Sequence, residues 1–289
     1  MGKLIRCITS DGTVMASAID STDIVAKSEQ IHKTSAVTTA ALGRLLTATS
    51  MMGNSLKGEK NTLTVKIDGG GPAGVLTAVS DSSGNVRGYV TNPIVEIPPK
   101  ENGKLDVSGA VGTNGNVFVM KDMGLKEPYN GLVPIASGEI AEDITSYYAV
   151  SEQIPTVCAL GVLVNPDLTV KKAGGYLIQL LPAADEDTVT RLEENIKKMR
   201  PVTELLDNGT DILDIVKQAL SGFETEVLDE TKAEYKCNCS KEYLSGVLVS
   251  LGKDQLKDIL REDGEIKVHC HYCNKDYRFT EEDVEKMFP

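Results

Sequence analysis

Four of the six cysteines in this 289-residue chain fall in two close pairs. The first is Cys237-Asn238-Cys239; the second, after a gap of 30 residues, is Cys270-His271-Tyr272-Cys273. Two such pairs folded together make a tetrahedral four-thiolate site of the kind that zinc fills, each sulfur about 2.3 Å from the metal. A closed four-ligand site leaves no position for water or substrate, which argues against hydrolytic zinc chemistry. The pattern departs from the common zinc ribbon in having one spacer residue in the first pair. His269 and His271 flank Cys270, so an imidazole is an alternative to one thiolate. The competing reading of the same residues is a pair of standing disulfides, which a reducing compartment disfavours. Closing a Cys-x-Cys disulfide bends an extended dipeptide until its Cα atoms come within about 6.8 Å. Such a strained bond is easily reduced, which suits a reversible switch. Cys7 and Cys158 stand singly in expected strands and read as small buried apolar residues.

Three segments must position this cluster. Residues 1–181 read as an α/β core with β-sheet. Alternating stretches at 3–10 and 13–19 are joined by the turn signal Asp11-Gly12. A Pro-free run at 34–56 places Ala41, Leu45, Ala48 and Met52 at helical spacing and reads as a long buried helix. Strands are expected at 62–67, 74–80, 85–91, 156–164 and 173–181. A helix is expected at 139–150 with Ser137 as its cap, and an irregular loop at 92–115. Residues 182–232 read as an acidic helical linker. Its helices at 185–199 and 211–220 carry thin apolar stripes, Val189, Leu192, Ile196 and Met199, then Ile212, Ile215, Val216 and Leu220. Short helices of this kind depend on docking against something else. Residues 233–289 form a small C-terminal four-cysteine zinc domain, too small to fold without a staple. The fold class is therefore α+β.

Charge narrows the partners. The net charge is −12; residues 1–181 carry 15 basic and 17 acidic side chains, 182–232 carry 6 and 13, and 233–289 carry 9 and 12. No segment is basic, which argues against nucleic acid and against an anionic membrane surface. Met1 to Arg6 has neither an apolar run nor a cleavage site, so no signal peptide is read there and a cytoplasmic location is expected. Gly69-Gly70-Gly71-Pro72-Ala73-Gly74 matches G-x-G-x-x-G, but the apolar run after it reads as a strand rather than a helix, so it is taken as a tight turn. The three histidines are too few and too scattered for a triad, so no enzyme is expected. Tyr147-Tyr148 reads as core rather than a partner patch.

The paired cysteines, the acidic linker and the core together resemble the redox-regulated holdase chaperones of the heat-shock protein 33 family. In the core the resemblance lies in Gly69-Gly70-Gly71-Pro72 leading to Val79-Ser80-Asp81, in Gly84-Asn85-Val86-Arg87-Gly88-Tyr89, and in Tyr147-Tyr148 followed by Ser151-Glu152-Gln153-Ile154-Pro155-Thr156. It covers essentially the whole chain. It implies a cytoplasmic, ATP-independent chaperone with one Zn2+ per chain, held by Cys237, Cys239, Cys270 and Cys273, inactive and monomeric when reduced. It further implies that oxidation pairs Cys237 with Cys239 and Cys270 with Cys273, releases zinc, unfolds the linker, and yields a homodimer that holds unfolded or oxidatively damaged client proteins. Two other classes use the same residues: a thiol-disulfide oxidoreductase at Cys270–Cys273, which lacks a thioredoxin-like βαβ context, and a zinc-ribbon module for nucleic acid, which the acidic charge opposes.

Overall fold

Alternation at the start of the chain folds into a hairpin of β1 (Gly2–Thr9) and β2 (Val14–Asp20). Gly12 takes the left-handed conformation the turn needs, and the Asp11 carboxylate accepts the Thr13 N–H at 3.0 Å. In the computed structural model, which describes residues 1–288, this hairpin belongs to a compact unit Met1–Lys236; a second unit begins at Cys237.

The first unit holds two five-stranded antiparallel sheets. One has the order β10-β1-β2-β9-β8, with β8 Thr156–Val164, β9 Val170–Leu180 and β10 Thr225–Ala233. The other has the order β5-β4-β3-β6-β7, with β3 Thr62–Asp68, β4 Leu76–Asp81, β5 Val86–Val90, β6 Asn116–Asp122 and β7 Tyr129–Pro134. Helix α1 (Thr22–His32) leads into α2 (Ala36–Asn54), which packs against strands of both sheets. All of α2 except Ala36 and Arg44 is buried, so the expected stripe is part of a helix covered on every side. Close approach is possible because a Cβ at Gly43 would meet Val25 at 2.6 Å and one at Gly53 would meet Ser80 at 2.3 Å. Two of its buried hydroxyls find backbone acceptors, Thr47 donating to Gly43 O at 2.7 Å and Ser50 to Gly84 O at 2.6 Å.

The expected loop at 92–115 contains a short helix, α3 (Val107–Val111), capped by the Asp106 carboxylate on the Gly109 N–H. The glycine run is a turn between β3 and β4. A Cβ at Gly69 or Gly71 would collide with backbone at Val111 and Gly112. The expected helix at 139–150 is α4 (Ala141–Tyr147) running into a π turn, Tyr148–Glu152. Ser137 does not cap it. The buried Asp143 carboxylate instead accepts the N–H groups of Ala136, Ser137, Gly138 and Ile140. Tyr147 and Tyr148 are buried in the core.

Residues 182–232 hold α5 (Glu186–Lys198), α6 (Val202–Asp207), α7 (Ile212–Ala219) and most of β10. Their apolar stripes find cover within the first unit. Leu192, Leu205, Ile215 and Val216 pack with Ile5, Val14, Ala16, Tyr176 and Ile178 on the face of the first sheet opposite α2. β10 closes the segment by pairing with β1 from Gly2–Ala233 to Thr9–Thr225. The linker is thus a layer and an edge strand of the first unit.

The second unit comprises α8 (Lys241–Val249), α9 (Lys253–Asp263), the hairpin β11 (Ile266–Cys270) and β12 (Lys275–Phe279), and α10 (Glu281–Met287). Its core is small: five buried apolar residues among those described, Leu248, Leu256, Ile266, Phe279 and Val284.

Candidate metal centre

The two cysteine pairs reach one point by different local routes. Cys270 ends β11, and the chain turns at once. The Cys270 carbonyl accepts from Cys273 N–H at 3.3 Å and Asn274 N–H at 2.8 Å, and Asn274 takes φ +53°. This knuckle aims the thiols of Cys270 and Cys273 to one side of the hairpin. Cys237 and Cys239 lie in an extended stretch ahead of α8, which Ser240 caps by accepting the Tyr243 N–H at 3.1 Å.

All four sulfurs lie within 4.8 Å of one another. Cys237 Sγ is 3.3 Å from Cys239 Sγ and 3.7 Å from Cys270 Sγ, and Cys239 Sγ is 3.2 Å from Cys273 Sγ. Four ligands about 2.3 Å from a tetrahedral centre stand about 3.8 Å apart. A disulfide would need about 2.05 Å, and every cysteine here is free. The donor set is soft and closed, and it fits a thiophilic ion such as zinc. Among the described residues no imidazole joins the group. His269 Nδ1 instead faces Asp276 Oδ1 at 2.7 Å, and the His269 and His271 rings meet edge to face at 5.1 Å.

Tyr277 was missed by sequence reasoning. Its hydroxyl lies 3.1 Å from Cys239 Sγ and donates to the Cys239 carbonyl at 3.2 Å, tying the first pair to the returning strand of the hairpin. The available signal was strand alternation, since Tyr277 and Phe279 share one face of β12. The thiols differ in acidity. Burial pushes Cys237 up to about 11 and also raises Cys273. Burial opposes ionisation of Cys239 too, but hydrogen bonds from Tyr277 and the neighbouring thiols outweigh it and bring Cys239 down to about 7. Cys7 is buried in the linker-side core, and burial raises Cys158 to about 12, so both are poor nucleophiles.

Two antiparallel sheets around one buried helix, with a small unit gathering four thiols, define a mixed helix-and-sheet protein carrying a C-terminal thiol cluster. The family model described as Hsp33 protein matches residues 2–280. A 33 kDa chaperonin of Clostridioides difficile is 48% identical over 281 residues, covering 97% of this chain and 96% of its own. The 33 kDa chaperonin of Geobacillus kaustophilus is 44% identical over 284 residues, covering 98% and 96%. The crystal structure of the 33 kDa chaperonin (heat shock protein 33 homolog) of Thermotoga maritima matches with a TM-score of 0.89 at 36% identity, over 99% of this chain and 97% of that one. The chain belongs to the Hsp33 family. No helix among the described residues is long and apolar enough to cross a membrane.

Proposed function

We propose that the chain is a redox-regulated, ATP-independent holdase of the cytoplasm, binding unfolded or oxidatively damaged proteins rather than catalysing a reaction. The single observation that carries this is four free thiols within 4.8 Å of one another in a unit with a core of five buried apolar residues. Cys237, Cys239, Cys270 and Cys273 hold one Zn2+ as thiolates when reduced. Bound zinc supplies folding free energy, on the order of 10–16 kcal/mol in small peptides, to a unit that a small core cannot hold together. An oxidant such as peroxide takes two electrons from each thiol pair and is reduced to water. The products are the disulfides Cys237–Cys239 and Cys270–Cys273, and the ligand set is lost.

Loss of fold in the second unit then propagates through Cys237 into β10 and the helices of 182–232. Undocking of α5–α7 uncovers the sheet face at Ile5, Val14, Tyr176 and Ile178, the kind of apolar surface that captures non-native chains. The reduced chain is a monomer and the oxidised one a homodimer. Light scattering from a thermally unfolding test protein checks the reading, with the same preparation used reduced with zinc and peroxide-oxidised, both without nucleotide. Suppression by the oxidised form alone is expected. Equal suppression by both forms removes the redox switch, and none by either removes the holdase.

A further inference from the structure

Native sheets guard their edges with charge, proline or short length, because an unpaired edge recruits another strand. The four edges of the first unit are guarded unequally. β10 carries Glu226, Asp229, Glu230 and Lys232, β7 ends in Pro134, and β5 is five residues long with Arg87. β8 runs nine residues, Thr-Val-Cys-Ala-Leu-Gly-Val-Leu-Val, without charge or proline, and pairs only with β9. The Leu180 N–H bond to the Pro155 carbonyl, at 3.0 Å, sets the ladder. Val157, Ala159 and Gly161 exchange bonds with Ile178, Tyr176 and Gly174, so the main-chain groups of Cys158, Leu160 and Val162 point away from β9.

A cavity of about 610 Å³ runs along that edge, lined by the consecutive residues 160–164. Its two walls differ. The even-numbered side chains of β8 pack into the core that contains α2, and on that side the wall is Ala36, Ala40 and Leu105, with Lys104 and with Arg44, whose guanidinium is held by Glu139 at 2.6 Å. The odd-numbered positions face α6, where a Cβ at Gly161 would come within 2.5 Å of Thr203. On this side the wall is Thr203, Glu204 and Asp207. The two carboxylates are engaged by Arg200 at 3.0 Å and Lys171 at 2.7 Å, well-exposed pairs that a competing cation displaces at little cost.

We propose that the outer edge of β8 accepts an extended segment of an unfolded protein, which adds as a sixth strand between α2 and α6, with apolar side chains on the α2 wall and Lys or Arg toward Glu204 and Asp207. The inference rests on the holdase reading and gives it a first point of capture. The occupant is a bare strand rather than a second folded copy. Another copy's β8 arrives flanked by its own α2 and α6, which meet these walls before the edges close to the ~4.8 Å of strand pairing. The fifteen lining residues also fall short of the ~20–30 a side of a stable protein interface. Strand addition is tolerant of sequence, because the main chain makes the bonds and only alternate side chains are read. The slot stands in the folded chain, so a short segment binds there weakly before oxidation; undocking of α6 then removes the Glu204 and Asp207 wall, and the β8 edge, the α2 wall and the newly uncovered sheet face carry the binding.

The test titrates reduced, zinc-loaded full-length protein into a fluorescein-labelled eight-residue peptide of alternating valine and lysine, read by anisotropy. Two further peptides are N-methylated, one on the valines and one on the lysines, so that each loses the N–H groups of one edge. One of the two is expected to bind at least about 10-fold more weakly than the parent and the other within about 2-fold, since each lost hydrogen bond is worth up to a factor of about ten. Leu160→Pro removes an outward N–H without breaking the ladder to β9 and should weaken binding similarly. Glu204→Lys with Asp207→Lys should shift preference to a valine-glutamate peptide.

Equal behaviour of the two methylated peptides overturns strand addition, whatever the variants do. So does a Leu160→Pro protein with an unchanged melting temperature and unchanged binding. A wild-type dimer that Leu160→Pro dissociates, with no peptide bound, assigns the edge to self-pairing instead. Peptide discrimination without aggregation suppression removes the holdase reading and leaves strand addition standing; suppression without discrimination removes strand addition alone.

Discussion

Cys239 and Cys273 belong to different knuckles, yet their sulfurs stand 3.2 Å apart, slightly closer than the 3.3 Å between Cys239 and its own partner Cys237. Folded geometry therefore gives no advantage to local pairing. Local disulfides require the knuckles to separate before the second sulfur is attacked. Peptide mapping after slow peroxide oxidation at a temperature that opens the second unit should find mainly Cys237–Cys239 and Cys270–Cys273, with Cys7 and Cys158 reduced. Fast oxidation in the cold should enrich Cys239–Cys273. If cross-knuckle bonds dominate under both conditions, the knuckles stay together during oxidation and the proposed unfolding does not follow from it.

Tyr277 touches Cys239 twice, through the sulfur and through the carbonyl. Partners of this kind orient a metal ligand, and their loss typically costs 10–100-fold in affinity. Tyr277→Phe should weaken zinc binding by about 10-fold in competition with a chromogenic chelator while keeping one equivalent per chain. Cys270→Ser should cost far more. A Cys270→Ser protein with full zinc affinity would remove Cys270 from the ligand set and bring His269 or His271 into it.

The clearest sequence signals were those set by local chemistry. Asp11-Gly12 marks its hairpin because the turn geometry needs those residues, and the nine uncharged residues of β8 were expected with the bounds at which they occur. The cysteine spacing put four thiols together because the fold between them is short. What was hidden depends on distant partners. β10 reads Thr-Glu-Val-Leu-Asp-Glu-Thr-Lys-Ala and buries almost nothing, so no apolar pattern announces it; its bonds to β1 make it a strand. Helix α6 is six residues with an N-terminal proline and shows only once Leu205 and Leu206 meet the sheet. The linker's docking partner was illegible for the same reason, since a stripe states that it must be covered and not by what.

Glu139 sits between Arg44 Nη1, at 2.6 Å, and Lys100 Nζ. Burial opposes its ionisation, but hydrogen bonds from Lys100 and Arg44 outweigh burial and hold the carboxyl below its ordinary value. A carboxylate lowered on folding stabilises above its unfolded pKa, about 4.3, and that contribution is lost as pH falls through the folded value. Wild type should exceed Glu139→Gln by about 1 kcal/mol at pH 7, a figure discounted for partial exposure of the cluster. The gap in urea midpoints should narrow as pH falls below 4. A gap constant from pH 7 to pH 3 would mean that Glu139 acts through packing rather than charge.

Ile215 and Leu220 lie on the inner face of the linker layer, both fully buried against the first sheet. Replacing both with Asp removes two buried side chains, each worth about 2–5 kcal/mol, and puts carboxylates where no cation waits. The layer is held otherwise by the short contacts of α5 and α6 and by the edge strand β10, so it should undock while α2, buried between the two sheets, stays folded. No cysteine is touched, and zinc should remain bound. Hydrogen exchange should show residues 182–232 unprotected and α2 protected in the reduced double variant. Aggregation suppression should then appear without oxidation, at a level near that of the oxidised wild type. If the segment is unprotected and the reduced variant still fails to suppress aggregation, exposure of the sheet face is not the switch, and client capture belongs to the oxidised C-terminal unit.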